Sequence, residues 1–271
     1  MATPDSPAPL ITLTTDFGSR DPYVASMKGV LLSLNPALRI VDISHEIAPQ
    51  QIVEAGFVLA CAFPSFPQGT LHILVVDPGV GTSRRLLLAR TENHIFLAPD
   101  NGALGIVFEH EPAREVFSIT ASHYFRKGSG ATFDGRDILA PVAAAAAGGT
   151  ALANFGEPVT DWVPSPLPPC TLEAPGRVRI QVVHVDRFGN IIFNFRENQF
   201  TKMAAGANAP SFHLEMAGRS VDHLLRTYGE APSTDPFALF NSSGYLELAV
   251  RNASAARTLS ARPGDSALLF L

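Results

Sequence analysis

The stretch Leu71-His72-Ile73-Leu74-Val75-Val76-Asp77-Pro78-Gly79-Val80-Gly81-Thr82-Ser83-Arg84-Arg85-Leu86-Leu87-Leu88-Ala89 decides how the rest of the chain is read. Its first six residues form an apolar run of strand length that ends on Asp77, so a carboxylate stands at the mouth of a core strand. Asp-Pro and two glycines then turn the chain abruptly into a second apolar strand, Leu86 to Ala89. Gly79 and Gly81 let the backbone take positive φ and approach a ligand closely. Asp77 and Arg84, seven residues apart, meet only if the loop folds back. The same turn also serves as plain structure, so its meaning depends on its surroundings.

On its N-terminal side, Leu10 to Thr14 is a short apolar run that stops at Thr15-Asp16-Phe17-Gly18. A helical pattern follows through Val24, Met27, Val30, Leu31 and Leu34 to an Asn35-Pro36 stop. Arg39–Ile43 reads as a strand and Ile52–Phe63 as a helix. On the C-terminal side come paired strands at Leu86–Arg90 and Ile95–Ala98, a short helix at Leu104–Glu109 and a strand at Glu115–Ile119. A loop holding Gly128-Ser129-Gly130 then leads to an alanine-rich helix ending at Gly148. This rhythm predicts a three-layer α/β domain with a largely parallel sheet over residues 10–160. Ligands of such sheets sit beyond the carboxyl ends of the strands, where Asp16 and Asp77 both lie.

Prolines 164, 166, 168, 169 and 175 mark residues 161–176 as a linker. Beyond it the texture becomes all-β: Val178–Asp186, Ile191–Phe195, Ser211–Met216, Phe237–Phe240, Tyr245–Val250 and Ser266–Leu271. Residues 177–271 therefore read as a smaller antiparallel, barrel-like domain.

The chain of 271 residues is 46% hydrophobic and 17% charged, with a formal net charge of −5. That balance offers no footprint for nucleic acid or an anionic membrane and suits a small cationic ligand. Two distant cysteines, Cys61 and Cys170, suggest neither a disulfide framework nor a metal site. Cys61 reads as a buried small hydrophobe. The start has no basic or apolar leader segment, and the apolar run Val142–Ala147 is too short to span a bilayer, so a soluble cytoplasmic protein is expected.

Five polar knots sit at element ends: Asp16 with Asp21, Asp77 with Arg84, Thr132 to Asp137, Asp186 to Asn190, and Asn241 to Gly244. Each has a structural reading. Asp16 could cap the following helix, and Asp186 to Asn190 has the chemistry of a hairpin turn.

In this order the knots resemble the S-adenosylmethionine hydrolases (adenosine-forming), relatives of the fluorinating and chlorinating enzymes that use the same substrate. The likeness rests on Thr15-Asp16-Phe17-Gly18 with Asp21 and Met27-Lys28-Gly29, on Val76 to Thr82, and on Pro99-Asp100-Asn101-Gly102. It continues through Thr132-Phe133, Gly135-Arg136-Asp137, Asp186, Phe188-Gly189-Asn190 and Ser242 to Ala253. It implies an α/β domain followed by a β-barrel-like one, in a homotrimer whose sites lie between one subunit's N-terminal domain and its neighbour's C-terminal domain. Asp16 matches a carboxylate that accepts both ribose hydroxyls. Asp21, Asp186 and Ser242 match positions holding the amino-acid end of the substrate. Phe188 would stack near the adenine, Asn190 would bond its edge with help from backbone near Ala253, and Thr132 would face the ribose. No metal and no cofactor other than the substrate is implied.

The reaction implied is displacement at the ribose 5′ carbon by water, giving adenosine and methionine. In the family an Asp–Arg–His set holds the water. Asp77 and Arg84 match its first two members, but Asp134 stands where the histidine belongs. If Asp77 and Asp134 face one water they repel, and a proton would be shared between them, against the pull of Arg84. Two other readings stay open: a protein that binds S-adenosylmethionine or adenosine with little turnover, and a halogenase, which a carboxylate at 77 disfavours because it would repel halide.

Overall fold

Strand-forming runs become strands where both faces can be buried, and β1 (Leu10–Thr15) is buried from Ile11 onward. The computed structural model describes residues 8–127, 132–205 and 212–271. The Gly128-Ser129-Gly130 loop and Ser211 lie outside the described residues. Contacts divide the chain into two compact units, Met1–Pro166 and Leu167–Leu271.

In the first unit β1 is followed by α1 (Tyr23–Leu34), β2 (Arg39–Ser44), α2 (Ile52–Ala62), β3 (Leu71–Val75), β4 (Leu86–Arg90), β5 (Ile95–Pro99), α3 (Ala103–Phe108), β6 (Glu115–Ile119), α4 (Ala140–Ala147) and β7 (Gly156–Pro158). The strands form one sheet in the order β2-β1-β3-β5-β4-β6-β7. β1 runs parallel to β2 and β3, and β3 parallel to β5, but β4 pairs antiparallel with β5 and β6, and β6 antiparallel with β7. The sheet is thus mixed, not largely parallel. The physical reason is the tight turn after Arg90, where Thr91 N–H donates to the His94 carbonyl (3.0 Å) and folds β5 straight back on β4 without a crossover helix.

The odd-numbered residues Ile11, Leu13, Leu71, Ile73 and Val75 share a core with Val24, Met27 and Leu31 of α1 and with Ala140, Val142, Ala143 and Ala144 of α4. The alanines let α4 lie close against its neighbours. Leu34, included in the apolar pattern of α1, is 57% exposed and lies off that core. Cys61 is partly buried, not fully buried as expected.

The stretch read as a linker is partly structured. Arg85 Nη1 donates to Asp161 (2.7 Å) and Val163 N–H donates to Asp100 (2.8 Å), tying its first part to the first unit. Between Pro169 and Pro175 a proline-free segment forms β8 (Thr171–Ala174), which pairs with β9 (Arg177–Val185). Four residues without proline are enough for an edge strand.

The second unit continues with β10 (Ile191–Arg196), α5 (Glu197–Ala204), β11 (His213–Met216), β12 (Arg219–Val221), β13 (Phe237–Phe240), β14 (Tyr245–Ala249), α6 (Ala255–Thr258) and β15 (Ser266–Phe270). Its strands pair antiparallel in the order β12-β11-β15-β9-β10-β14-β13. Just past β12, Leu224 bridges to Ala238 of β13, and Leu225 N–H donates to the Ala238 carbonyl (2.8 Å). The two ends of the sheet therefore meet, and the sheet is nearly closed around Val178, Ile180, Phe193, Phe195, Leu246, Leu248 and Leu269.

Candidate active site

Asp77 lies two residues past the end of β3, and its loop folds back on itself. Gly79 N–H donates to Asp77 Oδ1 (3.2 Å) and Thr82 Oγ1 to the Gly79 carbonyl (2.7 Å), while Arg84 Nε donates to Asp77 Oδ2 (2.9 Å). Arg84 Nη2 also bonds Asp77 and, in addition, Asp134. One guanidinium thus joins two carboxylates that are 50 residues or more apart in sequence. All three side chains are largely shielded, at 15%, 7% and 14% exposure for Arg84, Asp77 and Asp134. Burial works against the arginine's charge, but its hydrogen bonds to Asp77 and Asp134 prevail and hold its pKa above the ordinary value.

Asp134 reaches this pair because Gly135 lies against β3. A Cβ on Gly135 would stand 3.2 Å from Val75 Cγ1 and 3.3 Å from Met27 Sδ, so a larger residue would push the segment away. From Gly135 to Leu139 the backbone makes one π-helical turn before α4, a local widening that recurs at functional sites. The next acid, Asp137, is 3% exposed and receives Arg136 Nε (2.7 Å). It holds the turn instead of facing the cavity.

Asp16 does not cap α1, whose N-cap is Pro22 with no side-chain bond. Its Oδ2 accepts from the backbone N–H of Gln50 (2.9 Å), which a positive φ of 65° turns toward it. Asp16, Asp77, Thr132 and Asp134 all line one cavity of about 560 Å³, together with Phe17, Tyr23 and Phe133. Those three rings stand 5.5–5.6 Å apart in pairs and form an aromatic wall. Arg84 does not line the cavity; it grips the two carboxylates that do. Asp21 is exposed in the bend before α1 and does not line it.

A second concavity, about 1060 Å³, lies in the second unit and brings together Asp186, Phe188, Asn190 and Ala253. Asp186 Oδ1 accepts from the backbone N–H groups of Phe188 (2.9 Å) and Asn190 (2.8 Å), and Oδ2 from Asn190 Nδ2 (3.0 Å). The knot is both a turn and a cavity wall. Gly189, at φ 84°, lets this loop pack on Ser254, and its carbonyl accepts from Ala256 N–H (2.9 Å). Phe188 projects its ring, 78% exposed, while Asn190 is buried. Ala253 N–H is spent on the Val250 carbonyl (3.2 Å). Ser242 sits in the exposed turn between β13 and β14, off this wall.

The sequence reading missed Gln50, the aromatic wall and Tyr228. The Tyr228 hydroxyl donates to Glu247 Oε1 (2.6 Å) beside the second concavity. Glu247 is 2% exposed, and burial pushes its carboxyl up against the opposing hydrogen bonds of Tyr228 and Asn241. A glutamate set among the apolar residues of β14, on the face opposite Leu246 and Leu248, was the available signal. Among the described residues no cluster of three or more His, Cys, Asp or Glu could hold a metal ion. No helix among them is long and apolar enough to cross a membrane.

The chain matches the SAM hydroxide adenosyltransferase N-terminal domain over residues 11–156 and the C-terminal domain over residues 180–267. It is 35% identical to the (R)-S-adenosyl-L-methionine hydrolase of Thermus thermophilus, over 92% of this chain and 95% of that one. A fluorinase of Actinoplanes sp. is 27% identical over 91% of this chain and 92% of its own. The crystal structure of an uncharacterized conserved protein from Thermotoga maritima superposes with a TM-score of 0.88 at 31% identity, covering 97% of this chain and 100% of that one. Matched along both units in sequence and in backbone, the chain belongs to the SAM hydroxide adenosyltransferase family.

Proposed function

We propose that the protein hydrolyses S-adenosyl-L-methionine to adenosine and L-methionine, and that the two carboxylates joined through Arg84 hold the attacking water. The observation that carries this reading is the position of Asp77 and Asp134 on the same cavity wall as Asp16. Water oxygen bonds to the ribose 5′ carbon as the carbon–sulfur bond breaks. The bonding pair leaves on sulfur as the neutral thioether of methionine, and the water's proton passes to the carboxylate pair. A sulfonium needs no acid to leave, so the protein's task is to align and deprotonate the nucleophile. Such base assistance contributes about 10²–10⁴ in rate, and alignment adds to it.

Asp16 accepts the ribose hydroxyls, beside Thr132. Phe188 stacks near the adenine, Asn190 and backbone near Ala253 bond its edge, and Asp21, Asp186 and Ser242 hold the amino-acid end. These roles fall on both units, which supports a homotrimer with each site completed by a neighbouring subunit. We place the enzyme in the cytoplasm, with no cofactor besides its substrate. Its first unit is read as three-layered, because the buried residues of β1 and β3 that alternate with those facing α1 and α4 need a second helical layer.

Incubation with S-adenosyl-L-methionine, followed by chromatography, is expected to release adenosine and methionine in equal amounts. Binding without release over hours would overturn the reading in favour of a sensor. The relationship to a fluorinase makes one control necessary: incubation with excess chloride is expected to yield no 5′-chloro-5′-deoxyadenosine, since Asp77 and Asp134 both repel an anion at that wall.

A further inference from the structure

The loop that carries Asp16 is gripped on both sides by one residue to which nothing above gives a role. His45 Nδ1 lies 2.9 Å from Thr15 Oγ1, on the residue before Asp16. The His45 carbonyl accepts from Gly18 N–H (2.7 Å), two residues after Asp16. The imidazole is itself held from behind: Nε2 is 3.1 Å from Asp42 Oδ1, and Lys28 Nζ donates to Asp42 Oδ2 (2.6 Å). The Nε2 contact is a close approach to Asp42 and not an aligned hydrogen bond. Only 10% of the His45 side chain is exposed.

Nδ1 and the Thr15 hydroxyl stand at hydrogen-bond distance, and either can donate, so the ring ties down this loop in either tautomer. The Thr15 hydroxyl oxygen also accepts from Phe17 N–H (3.2 Å), inside the loop. The contacts run from the Asp16 loop through Thr15, His45 and Asp42 to Lys28. Asp42 is kept below the usual carboxylate range: burial would raise it, but the hydrogen bond from Lys28 and the nearby His45 outweigh that.

We infer that His45 is a positioning residue for Asp16, locking the loop from Thr15 to Gly18 so that the Asp16 carboxylate is already aimed at the ribose hydroxyls before the nucleoside arrives. The inference rests on the reading of Asp16 as the acceptor of those hydroxyls. It touches neither Asp77, Arg84 nor Asp134, so its loss weakens binding and leaves the chemical step alone.

The test uses the full-length protein, with His45→Ala, His45→Asn and Thr15→Val compared with the parent. Asparagine keeps a polar atom near the place of Nδ1, and valine removes only the hydroxyl; Thr15→Val carries the test if His45→Ala fails to fold. For His45→Ala, KM for S-adenosyl-L-methionine is expected to rise about tenfold with kcat within about twofold of the parent, and His45→Asn to recover most of the loss. Affinities for adenosine and 2′,3′-dideoxyadenosine supply the readout that a general loosening would not move. His45→Ala and Thr15→Val should weaken adenosine by about five- to tenfold and leave the dideoxynucleoside nearly unchanged. Equal weakening of both ligands, or none of either, overturns the inference. Asp16→Ala separates the two layers of argument. If that variant is not selective for the diol, the reading of Asp16 fails; if it is selective and the His45 and Thr15 variants are not, only the positioning role fails.

Discussion

Arg84 carries one positive charge between two carboxylates, so removing it does more harm than removing either partner. Arg84→Met leaves Asp77 and Asp134 facing each other in a shielded site, and a loss of about 3 kcal/mol in stability is expected along with the loss of turnover, read by urea unfolding and product release. Asp77→Asn keeps the shape and removes a base, so kcat should fall by about 10²–10⁴ with KM little changed. Asp134→His is expected to raise the hydrolysis rate or move its pH optimum; a lower rate at every pH would show that the carboxylate pair is the better device in this chain. Some of this was readable beforehand. Asp77 and Arg84 stood out through the order of the polar knots along the chain, since the turn between them read equally well as plain structure. Gln50 was not, because its contribution is a backbone N–H aimed by a positive φ, and no side chain advertises that. The capping role open to Asp16 failed because Pro22 takes the helix start.

Within the elements, the join between β3 and the segment before α4 constrains the position of Asp134. Gly135→Ala sets a methyl 3.2–3.3 Å from Val75 and Met27. A loss of about 1–3 kcal/mol is expected, visible as a lower melting temperature, with kcat falling further than stability alone explains as Asp134 is displaced. A separate prediction concerns the sheet interior. His72 of β3 is fully buried, bonded to Thr12 (2.7 Å) and within 3.3 Å of His94. Burial first, and the His94 charge second, push its pKa from 6.5 to about 3. The folded ring stays neutral while the unfolded ring takes a proton near 6.5, so this contribution is complete above that pH and is lost as pH falls toward 3. The slope should approach about 1.4 kcal/mol per pH unit in that window, and His72→Gln should flatten it in urea titrations at successive pH values. Strand and helix periods made most of these elements visible in the sequence. The direction of β4 was not, because a hairpin inside an α/β rhythm reverses the pairing without altering the hydrophobic pattern. β12 and α5 escaped notice for a plainer reason: β12 is three residues long, and the eight residues of α5 hold only two large apolar side chains, Phe200 and Met203.

For the whole molecule, the two units place candidate residues in two separate cavities, and the proposed trimer predicts a solution mass of about three times the 28.9 kDa chain, by light scattering. A monomer with full activity would overturn that assembly. The change of texture near the prolines signalled two units, while the closure of the second sheet depends on Leu224 and Ala238, which no local pattern connects. That closure matters for solubility. An open sheet offers rows of unpaired amides to any passing chain, and the second unit nearly closes its sheet through the bridge from Leu224 to β13. The first unit keeps two open flanks and blunts them by other means: β7 is only three residues long and ends in Pro158, and two of the three exposed residues of β2, Arg39 and Asp42, are charged beside Val41. Strand-to-strand stacking between molecules thus meets short or charged borders on the first unit's sheet.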